Sequence, residues 1–511
     1  MSSILIKNAR LRGHEELCDL YIKDGVFAEI APGLSYPADE TIDVAGKLVS
    51  APFCDAHLHL DAVLSVGKPR YNMSGTLIEG INIWGERMQG LTKETIKKNA
   101  RDVIKWEVAN GSMFLRTHAD ATEPTGTVVE ALLEVREEMK DLVDLQIVAF
   151  PQECIFTAPG HTDLMENALK LGCDVVGGLP YMEYSPEDGL RDVKYVFDLA
   201  EKYGALIDIH CDENTDDQSR YVEAMARETI VRGMQGRVTA SHTTAMHNYN
   251  NDFAFKLMGF LKKAQMNMVT NPFANSCLQN RTDGYPRHRG HTRVDELLAN
   301  GINVCIGSDD IMDPWYPMGK GSPLAGATLL MNYAQLSGYP QVAQLIDMIT
   351  CNSARTMCLT GYGLEVGNPA NLIVLDAESE FDAIRLQSEC LYVIRRGRVV
   401  CRTGPPAVRW NLKAGKKTST SVSPRKIYKQ RKAIYHGNEQ QKRCPQQKDR
   451  LLLQLPAQHQ QQGSGPRPLR RLQQGIHRYP CQVRPGRAAD GLSRNAVSGH
   501  PALAAHQKPV R

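Results

Sequence analysis

The sequence predicts an α/β chain built around a (β/α)₈ barrel (TIM barrel), and two features of the chain lead to that prediction. Short apolar segments alternate with amphipathic stretches such as Lys93–Ala109, and this order requires crossover connections and a parallel sheet. There are eight such segments, and polar residues stand at the ends of several of them. This favours a closed barrel over an open doubly wound sheet. The predicted strands are Val49–Asp61, Ser112–Asp120, Leu145–Gln152, Asp174–Glu183, Leu206–Asn214, Arg237–Thr244, Asn267–Asn275 and Asn303–Asp310.

The segments that flank the barrel predict a small β-sandwich formed by both ends of this region. The N-terminal side contains three strand-like runs, Ile4–Ala9, Leu20–Lys23 and Gly25–Ile30. The C-terminal side contains two more, Ala370–Leu375 and Leu391–Val400, and the second includes a hairpin signal at Arg396-Gly-Arg398. The predicted organisation is therefore a sandwich over residues 1–50 and 360–412, a barrel over 51–359, and a tail over 413–511.

The predicted tail differs from the rest of the chain in charge. The whole chain has a net charge of +3, but residues 1–412 hold 39 Lys and Arg against 54 Asp and Glu, whereas residues 413–511 hold 21 against 3. The tail has no sustained apolar period, so we expect it to be disordered. Its composition also fits a non-native origin such as a shifted reading frame. A nucleic-acid-binding arm is the alternative, although aromatic stacking residues are sparse and we expect no nucleic acid partner.

The composition also bears on the cellular compartment. No stretch reaches the roughly 18 consecutive apolar residues of a membrane helix. The first residues lack the apolar run and small-residue cleavage site of a secretory signal. The thirteen cysteines are scattered without a CxxC pair, which is typical of reduced thiols. We therefore expect a cytoplasmic protein that does not act on membranes.

Four residues at the ends of predicted strands indicate a metal site. His57 and His59 alternate in Asp55–Asp61, so their side chains share one face of the first strand. His210 and Asp309 end the fifth and eighth predicted strands. Since the carboxyl ends of barrel strands converge at one mouth, these residues predict a His₃Asp site for a divalent ion, zinc or ferrous iron.

Other polar residues at the same strand ends predict acid–base chemistry. Glu213 follows His210 by three residues, where its carboxyl can take a proton from a metal-activated water and pass it on. His242 ends the sixth predicted strand and is expected to hold the hydroxide or a developing oxyanion. By contrast, we expect His247 to be structural and His118 to have a hydrogen-bonded packing role.

Over residues 1–405, the chain resembles the bacterial cytosine deaminases of the amidohydrolase superfamily. The matching motifs are long and occur in the order found in that family. They are HLHLD at 57–61, SGTLIEGI at 74–81, VAFPQE at 148–153, HCDE at 210–213, SHTTAMH at 241–247 and SDDIMDPWYP at 308–317.

The resemblance implies a role for each residue that matches the motifs. The implied metal ligands are His57, His59, His210 and Asp309. The implied catalytic groups are the proton shuttle Glu213, His242 beside the attacking hydroxide, and Asp309, which accepts a proton as C4 is attacked. The implied substrate-binding residues are Gln152 on the amide edge of the pyrimidine, Leu77 through its carbonyl, and the pocket residues Asp310 and Trp315.

The resemblance also narrows the expected reaction and leaves some alternatives open. The segment 174–183 has no lysine where two-metal relatives place a carboxylated one, so one metal ion per chain is expected. The implied activity is deamination of a nucleobase: cytosine, 5-methylcytosine or isoguanine. Ser308 stands where the family often has histidine, so the preferred base stays open. A cyclic-amide hydrolase is the nearest alternative, and a homo-oligomer is compatible with the resemblance.

Overall fold

The strands define the framework of the molecule. In the computed structural model, the described residues are 3–404. The strands are β1 (Ser3–Ala9), β2 (Cys18–Lys23), β3 (Val26–Ala31), β4 (Glu40–Asp43), β5 (Leu48–Ser50), β6 (Phe53–Leu58), β7 (Ser112–Asp120), β8 (Asp144–Phe150), β9 (Val175–Gly178), β10 (Leu206–Cys211), β11 (Val238–His242), β12 (Asn267–Thr270), β13 (Asn303–Ile306), β14 (Leu372–Leu375), β15 (Cys390–Arg395) and β16 (Arg398–Arg402).

The helices connect these strands. Most of them are amphipathic, with apolar residues buried against the sheet and charged residues in solvent. The helices are α1 (Leu77–Met88), α2 (Lys93–Ala109), α3 (Thr127–Met139), α4 (His161–Leu171), α5 (Pro186–Tyr203), α6 (Tyr221–Arg232), α7 (Asn251–Ala264), α8 (Pro272–Leu278), α9 (Val294–Ala299), α10 (Pro323–Tyr333), α11 (Tyr339–Met348), α12 (Cys351–Thr356) and α13 (Glu380–Leu386). None of the helices within residues 3–404 is long and apolar enough to cross a bilayer.

The central sheet confirms the predicted barrel. Strands β6 to β13 follow one another in chain order, and each neighbouring pair is parallel. The first and last strands meet through a parallel bridge between Leu58 and Asp309. The Asp309 backbone N–H donates to the His57 carbonyl at 2.7 Å, and the His59 N–H donates to the Asp309 carbonyl at 3.1 Å. This seam brings the ends of β6 and β13 together at the barrel mouth.

The two flanking regions form the sandwich that the sequence predicts. One sheet has the order β3-β2-β1-β4 and the other has the order β16-β15-β14-β5. Buried residues of both sheets, including Leu20, Phe27, Leu372 and Ile394, share one hydrophobic core. The β15–β16 hairpin turns at Arg396 and Gly397, both at positive φ, as a two-residue type I′ turn requires. The domain boundaries given above stay a prediction.

The first predicted strand divides into two in the structure. The sequence treats Val49–Asp61 as one run, but β5 pairs antiparallel with β14 of the sandwich, whereas only β6 belongs to the barrel. Pro52 lies between them and has no N–H to donate to a continuous ladder. A single apolar run in the sequence therefore contributes one strand to the sandwich and one to the barrel.

A buried arginine inside the barrel carries the first stability prediction. Arg116 on β7 donates to Asp208 at 2.9 Å, to Gln146 at 3.0 Å and to the carbonyl of Thr356 at 3.0 Å, and both charged side chains are fully buried. Replacing Arg116 with methionine leaves the Asp208 carboxylate buried without a counterion. We expect the free energy of unfolding to fall by about 3–5 kcal/mol, measured by urea denaturation.

A surface arginine gives the matched control. Arg101 on α2 pairs with Glu138 at 2.7 Å, and its side chain is one-third exposed. Because solvent screens such a pair, Arg101→Met should cost less than about 1 kcal/mol. Equal losses of unfolding free energy in the two variants would show that the buried ion pair stabilises the barrel no more than the surface pair does.

The predicted tail lies outside the described residues, but its removal is testable. All eight barrel strands and both sandwich sheets fall within residues 3–404. A chain that ends at residue 412 is therefore expected to keep the melting temperature and turnover of the full chain, measured by calorimetry and steady-state kinetics. A chain that ends at residue 386 also loses β15 and β16 and is the control that should unfold. Inactive or insoluble protein ending at 412 would contradict the prediction.

Candidate active site and metal centre

The seam between β6 and β13 positions three of the four predicted metal ligands. His57 lies in β6, His59 follows it directly, and Asp309 follows β13 by three residues. The backbone bonds across the seam hold Asp309 Oδ1 at 3.2 Å from His57 Nε2 and at 3.5 Å from His59 Nε2. Asp309 has a φ of 62°, and this strained left-handed backbone turns its carboxylate toward the histidines.

His210 on β10 completes the group. Its Nε2 atom lies 3.1 Å from Nε2 of His59, and its ring stacks on Phe150. One ligand atom from each of His57, His59, His210 and Asp309 lies within 4.8 Å of the others, and all four residues are buried. Nε2 of His57 lies 3.2 Å from Asp309 Oδ1 but makes no well-aligned hydrogen bond. Since buried polar atoms are rarely left without partners, the group is compatible with a single bound metal ion.

The protonation states of three of the four residues fit the same interpretation, whereas at His59 the contact with Asp309 outweighs burial and raises the pKa. Burial lowers the pKa of His57 to about 4 and holds that of His210 well below its usual value, so both rings are neutral and offer lone pairs. Burial opposes ionisation of Asp309, but His242 and His57 outweigh it and hold the carboxyl pKa well below its usual value. Three imidazoles and one carboxylate form a donor set that suits zinc or ferrous iron.

Glu213 lies two residues beyond β10, beside this group. Its Oε2 accepts a hydrogen bond from the Tyr181 hydroxyl at 2.9 Å, and its Oε1 accepts one from Gln279 Nε2 at 3.3 Å. Burial raises the pKa of Glu213 well above its usual value, and the charge of Asp309 adds to this effect. The carboxyl is therefore held in place, and burial favours its protonated form.

His242 faces the same space from the end of β11. Its Nδ1 lies 3.5 Å from Glu213 Oε1 and 3.8 Å from Asp309 Oδ2. Asn275 Nδ2 lies 2.9 Å from the same ring nitrogen, and Asn271 Nδ2 lies 3.2 Å from Nε2. Burial lowers the pKa of His242 to about 3, so the ring is neutral. A neutral imidazole has one acceptor nitrogen, which takes a hydrogen bond from one of these amides, and such a ring is suited to orienting a small oxygen ligand.

A cavity that opens to solvent joins these groups. With the exception of His57, which is fully buried beneath it, every predicted site residue lines this cavity: His59, Leu77, Gln152, His210, Glu213, His242, Asp309, Asp310 and Trp315. Five further residues line the cavity and were not predicted from the sequence: Ile81, Phe150, Leu179, Tyr181 and Leu278. Tyr181 lies three residues beyond the end of β9, as Asp309 does beyond β13, so the strand-end rule that found the others could also have found it.

The predicted substrate-binding residues have distinct surroundings. Leu77 is the first residue of α1, and Gln152 follows β8. Burial raises the pKa of Asp310 well above its usual value, and neighbouring Asp313 adds to this. Trp315 packs against Gly80 of α1 so closely that an added Cβ would lie 2.3 Å from its ring, so only glycine fits there.

His118 differs from its expected hydrogen-bonded role. The ring is fully buried, its centroid lies 3.9 Å from that of His57, and neither nitrogen has a hydrogen-bond partner. It forms a second possible ligand group with His57 and Asp208. The Asp208 carboxylate, however, already accepts hydrogen bonds from Arg116 at 2.9 Å and Ser241 at 2.7 Å. This occupied carboxylate makes the second group the poorer site.

Comparisons with known proteins agree with this geometry. The sequence profile of the amidohydrolase family matches residues 40–401. The fold is similar to that in the crystal structure of 5-methylcytosine deaminase from Klebsiella pneumoniae liganded with 5-fluorocytosine, with a TM-score of 0.78. The two sequences are 44% identical, and the match covers 80% of this chain and 99% of that one. N-isopropylammelide isopropyl amidohydrolase of Pseudomonas sp. is 31% identical over 410 residues, which are 78% of this chain and 97% of the relative. Pterin deaminase of Rhizobium rhizogenes is 29% identical over 395 residues, 76% and 88% of the two chains.

Proposed function

Because the chain belongs to the amidohydrolase family, as its motifs predict, we propose that it hydrolyses the exocyclic amine of cytosine or a close analogue and releases ammonia. The observation that carries this proposal is the 44% identity to 5-methylcytosine deaminase along 99% of that chain. The cavity supports the proposal, because its lining combines a fixed acid, Glu213, with the amide of Gln152. Isoguanine is kept as a candidate base.

Four residues would hold one divalent metal ion, zinc or ferrous iron. They are His57, His59, His210 and Asp309, whose donor atoms lie together at the barrel mouth. When bound, the ion supplies Lewis-acid activation of a water molecule at neutral pH. His242 would orient the attacking oxygen, since its ring is neutral and Asn275 Nδ2 lies 2.9 Å from its Nδ1.

The remaining lining residues would bind and orient the base. The amide of Gln152 can both donate and accept along one edge of a pyrimidine. Leu77 would offer its carbonyl to the ring, and Asp310 and Trp315 would form the walls that limit which bases fit. A site of this kind selects a small planar ligand, so the expected partner is a free nucleobase, in a cytoplasmic setting.

Two carboxyl groups would move the protons. Asp309 accepts a proton as the oxygen attacks C4 of the base, and Glu213 donates its proton to the adjacent ring nitrogen. Glu213 then takes up the proton held by Asp309 and carries it to the amino group, which leaves as ammonia while C4 becomes a carbonyl. Burial of Glu213 favours this role, because it raises the pKa of the carboxyl and so favours its protonated form.

A substrate panel tests the proposal. Purified enzyme is given cytosine, 5-methylcytosine, isoguanine, N-isopropylammelide and a cyclic amide, and ammonia is measured together with the mass of each product. We expect ammonia and an oxo product from at least one of the three nucleobases. Ring opening of the cyclic amide without ammonia would replace the proposal with a cyclic-amide hydrolase, and release of isopropylamine alone would replace it with an alkylamine hydrolase.

A further inference from the structure

Two donors from different parts of the barrel reach the carboxyl of Glu213. Tyr181, in the short turn after β9, donates to Oε2 at 2.9 Å, and Gln279, just after α8, donates to Oε1 at 3.3 Å. The Oε1 atom also lies 3.5 Å from Nδ1 of His242. The two carboxyl oxygens therefore have different surroundings. Oε2 is bound to the phenol, and Oε1 faces the side of the cavity that holds His242.

We propose that Tyr181 is a positioning residue for proton transfer: its hydroxyl fixes Oε2 of Glu213 and thereby assigns Oε1 to carry the proton to and from the base. This inference rests on the proposed function. A carboxylic acid has one O–H. Both oxygens accept a hydrogen bond, but the phenol bond to Oε2, at 2.9 Å, is shorter than the amide bond to Oε1, at 3.3 Å, so Oε2 is the natural carbonyl oxygen of the acid. The acidic proton is then left on Oε1.

The position of Tyr181 is set by its neighbours in the chain. The turn Pro180–Met182 is anchored on one side by Asp192 of α5, whose carboxylate accepts from the Leu179 N–H at 3.2 Å. On the other side, Glu183 accepts from the N–H groups of Ile155 and Phe156 at 2.7 and 3.1 Å. These bonds involve no atom of the Tyr181 side chain. Removal of its hydroxyl should therefore leave the turn in place and affect only Glu213.

A single-atom change gives the first test. Tyr181→Phe keeps the ring and removes the hydrogen bond to Glu213, so we expect kcat to fall about tenfold with KM within about twofold. Tyr184→Phe is the matched control, because the Tyr184 side chain is 78% exposed and its hydroxyl donates only to the Thr157 carbonyl. Both variants should keep the wild-type melting temperature and metal content. Unchanged kcat in Tyr181→Phe would overturn the inference.

A double-mutant cycle distinguishes action through Glu213 from a direct effect on the base. If Tyr181 acts through the carboxyl, Tyr181→Phe should cause no further loss of kcat in a Glu213→Gln background. A full additional tenfold loss there would mean that the phenol acts on the substrate itself, and the inference would be wrong.

A spectroscopic readout separates failure of this inference from failure of the proposed function. The difference infrared spectrum between the unchanged protein and Glu213→Gln isolates the carbonyl stretch of the protonated Glu213 carboxyl, and it needs no substrate. In Tyr181→Phe we expect this band at higher wavenumber, because a hydrogen bond to the carbonyl oxygen is lost. A band that does not move overturns the inference. Absence of ammonia release with a band that does move overturns only the proposed function.

Discussion

Replacement of Glu213 by glutamine is expected to lower turnover by about 10² or more, the scale of general acid–base catalysis. The amide keeps the size and most of the contacts of the carboxyl but cannot release and recapture a proton. The structure gives no reason for loss of metal, since Glu213 is not among the four grouped ligand residues. Steady-state kinetics on the best base, with metal analysis of the same sample, measure the effect.

An acid next to the same cavity provides the control for this prediction. Glu153 follows Gln152 in the chain, but its side chain is exposed and does not line the cavity. Glu153→Gln should therefore leave turnover within about twofold of the unchanged enzyme. Near-full activity of Glu213→Gln would mean that Glu213 is an ordinary buried acid and that another group moves the proton.

The grouping of the candidate site residues was largely predictable because they follow strand geometry. Strand alternation places His57 and His59 on one face, and the convergence of parallel strand ends adds His210 and Asp309. Strand alternation depends only on local sequence, and convergence depends only on the predicted fold class. Neither requires knowledge of how individual side chains pack. The family resemblance supplied the pocket residues, such as Gln152, which no local pattern distinguishes from a solvated glutamine.

The features that sequence reasoning missed depend on packing between distant segments. Tyr181 contacts Glu213 only because α5 and the loop after β8 hold its turn in place. An aromatic residue at a strand end can equally be part of a hydrophobic core. His118 was expected to be hydrogen-bonded, but it packs on His57 without a partner. The spacing of residues in the sequence does not indicate whether a buried histidine ring will have a hydrogen-bond partner.

The division between β5 and β6 was missed for a related reason. Apolar periodicity cannot tell which of two sheets a strand joins, and the residues before Pro52 are as apolar as those after it. The antiparallel partner of β5 is β14, more than 300 residues further along the chain. The sandwich itself was predictable from strand-like runs on both flanks of the barrel. Which strands pair within it depends on contacts between residues that lie far apart in the sequence.

The metal centre carries the last prediction: His210→Asn is expected to abolish measurable turnover and to reduce bound metal from one ion per chain to a small fraction of that. His210 offers one of four converging donor atoms. Asparagine in its place is a weaker ligand, so only three strong ligands remain to hold the ion in competition with water. Elemental analysis after dialysis measures the occupancy. Calorimetry checks that the variant is folded.

His118→Asn is the variant that tests the number of ions. His118 is as buried as His210 and contacts His57, but it belongs only to the second ligand group, with Asp208. Arg116 and Ser241 already occupy the Asp208 carboxylate, and a second cation there would have to displace a buried guanidinium ion. We therefore expect His118→Asn to keep one ion per chain, as the unchanged protein does. Two ions in the unchanged protein and one in His118→Asn would show instead that the second group binds metal and that the site is binuclear.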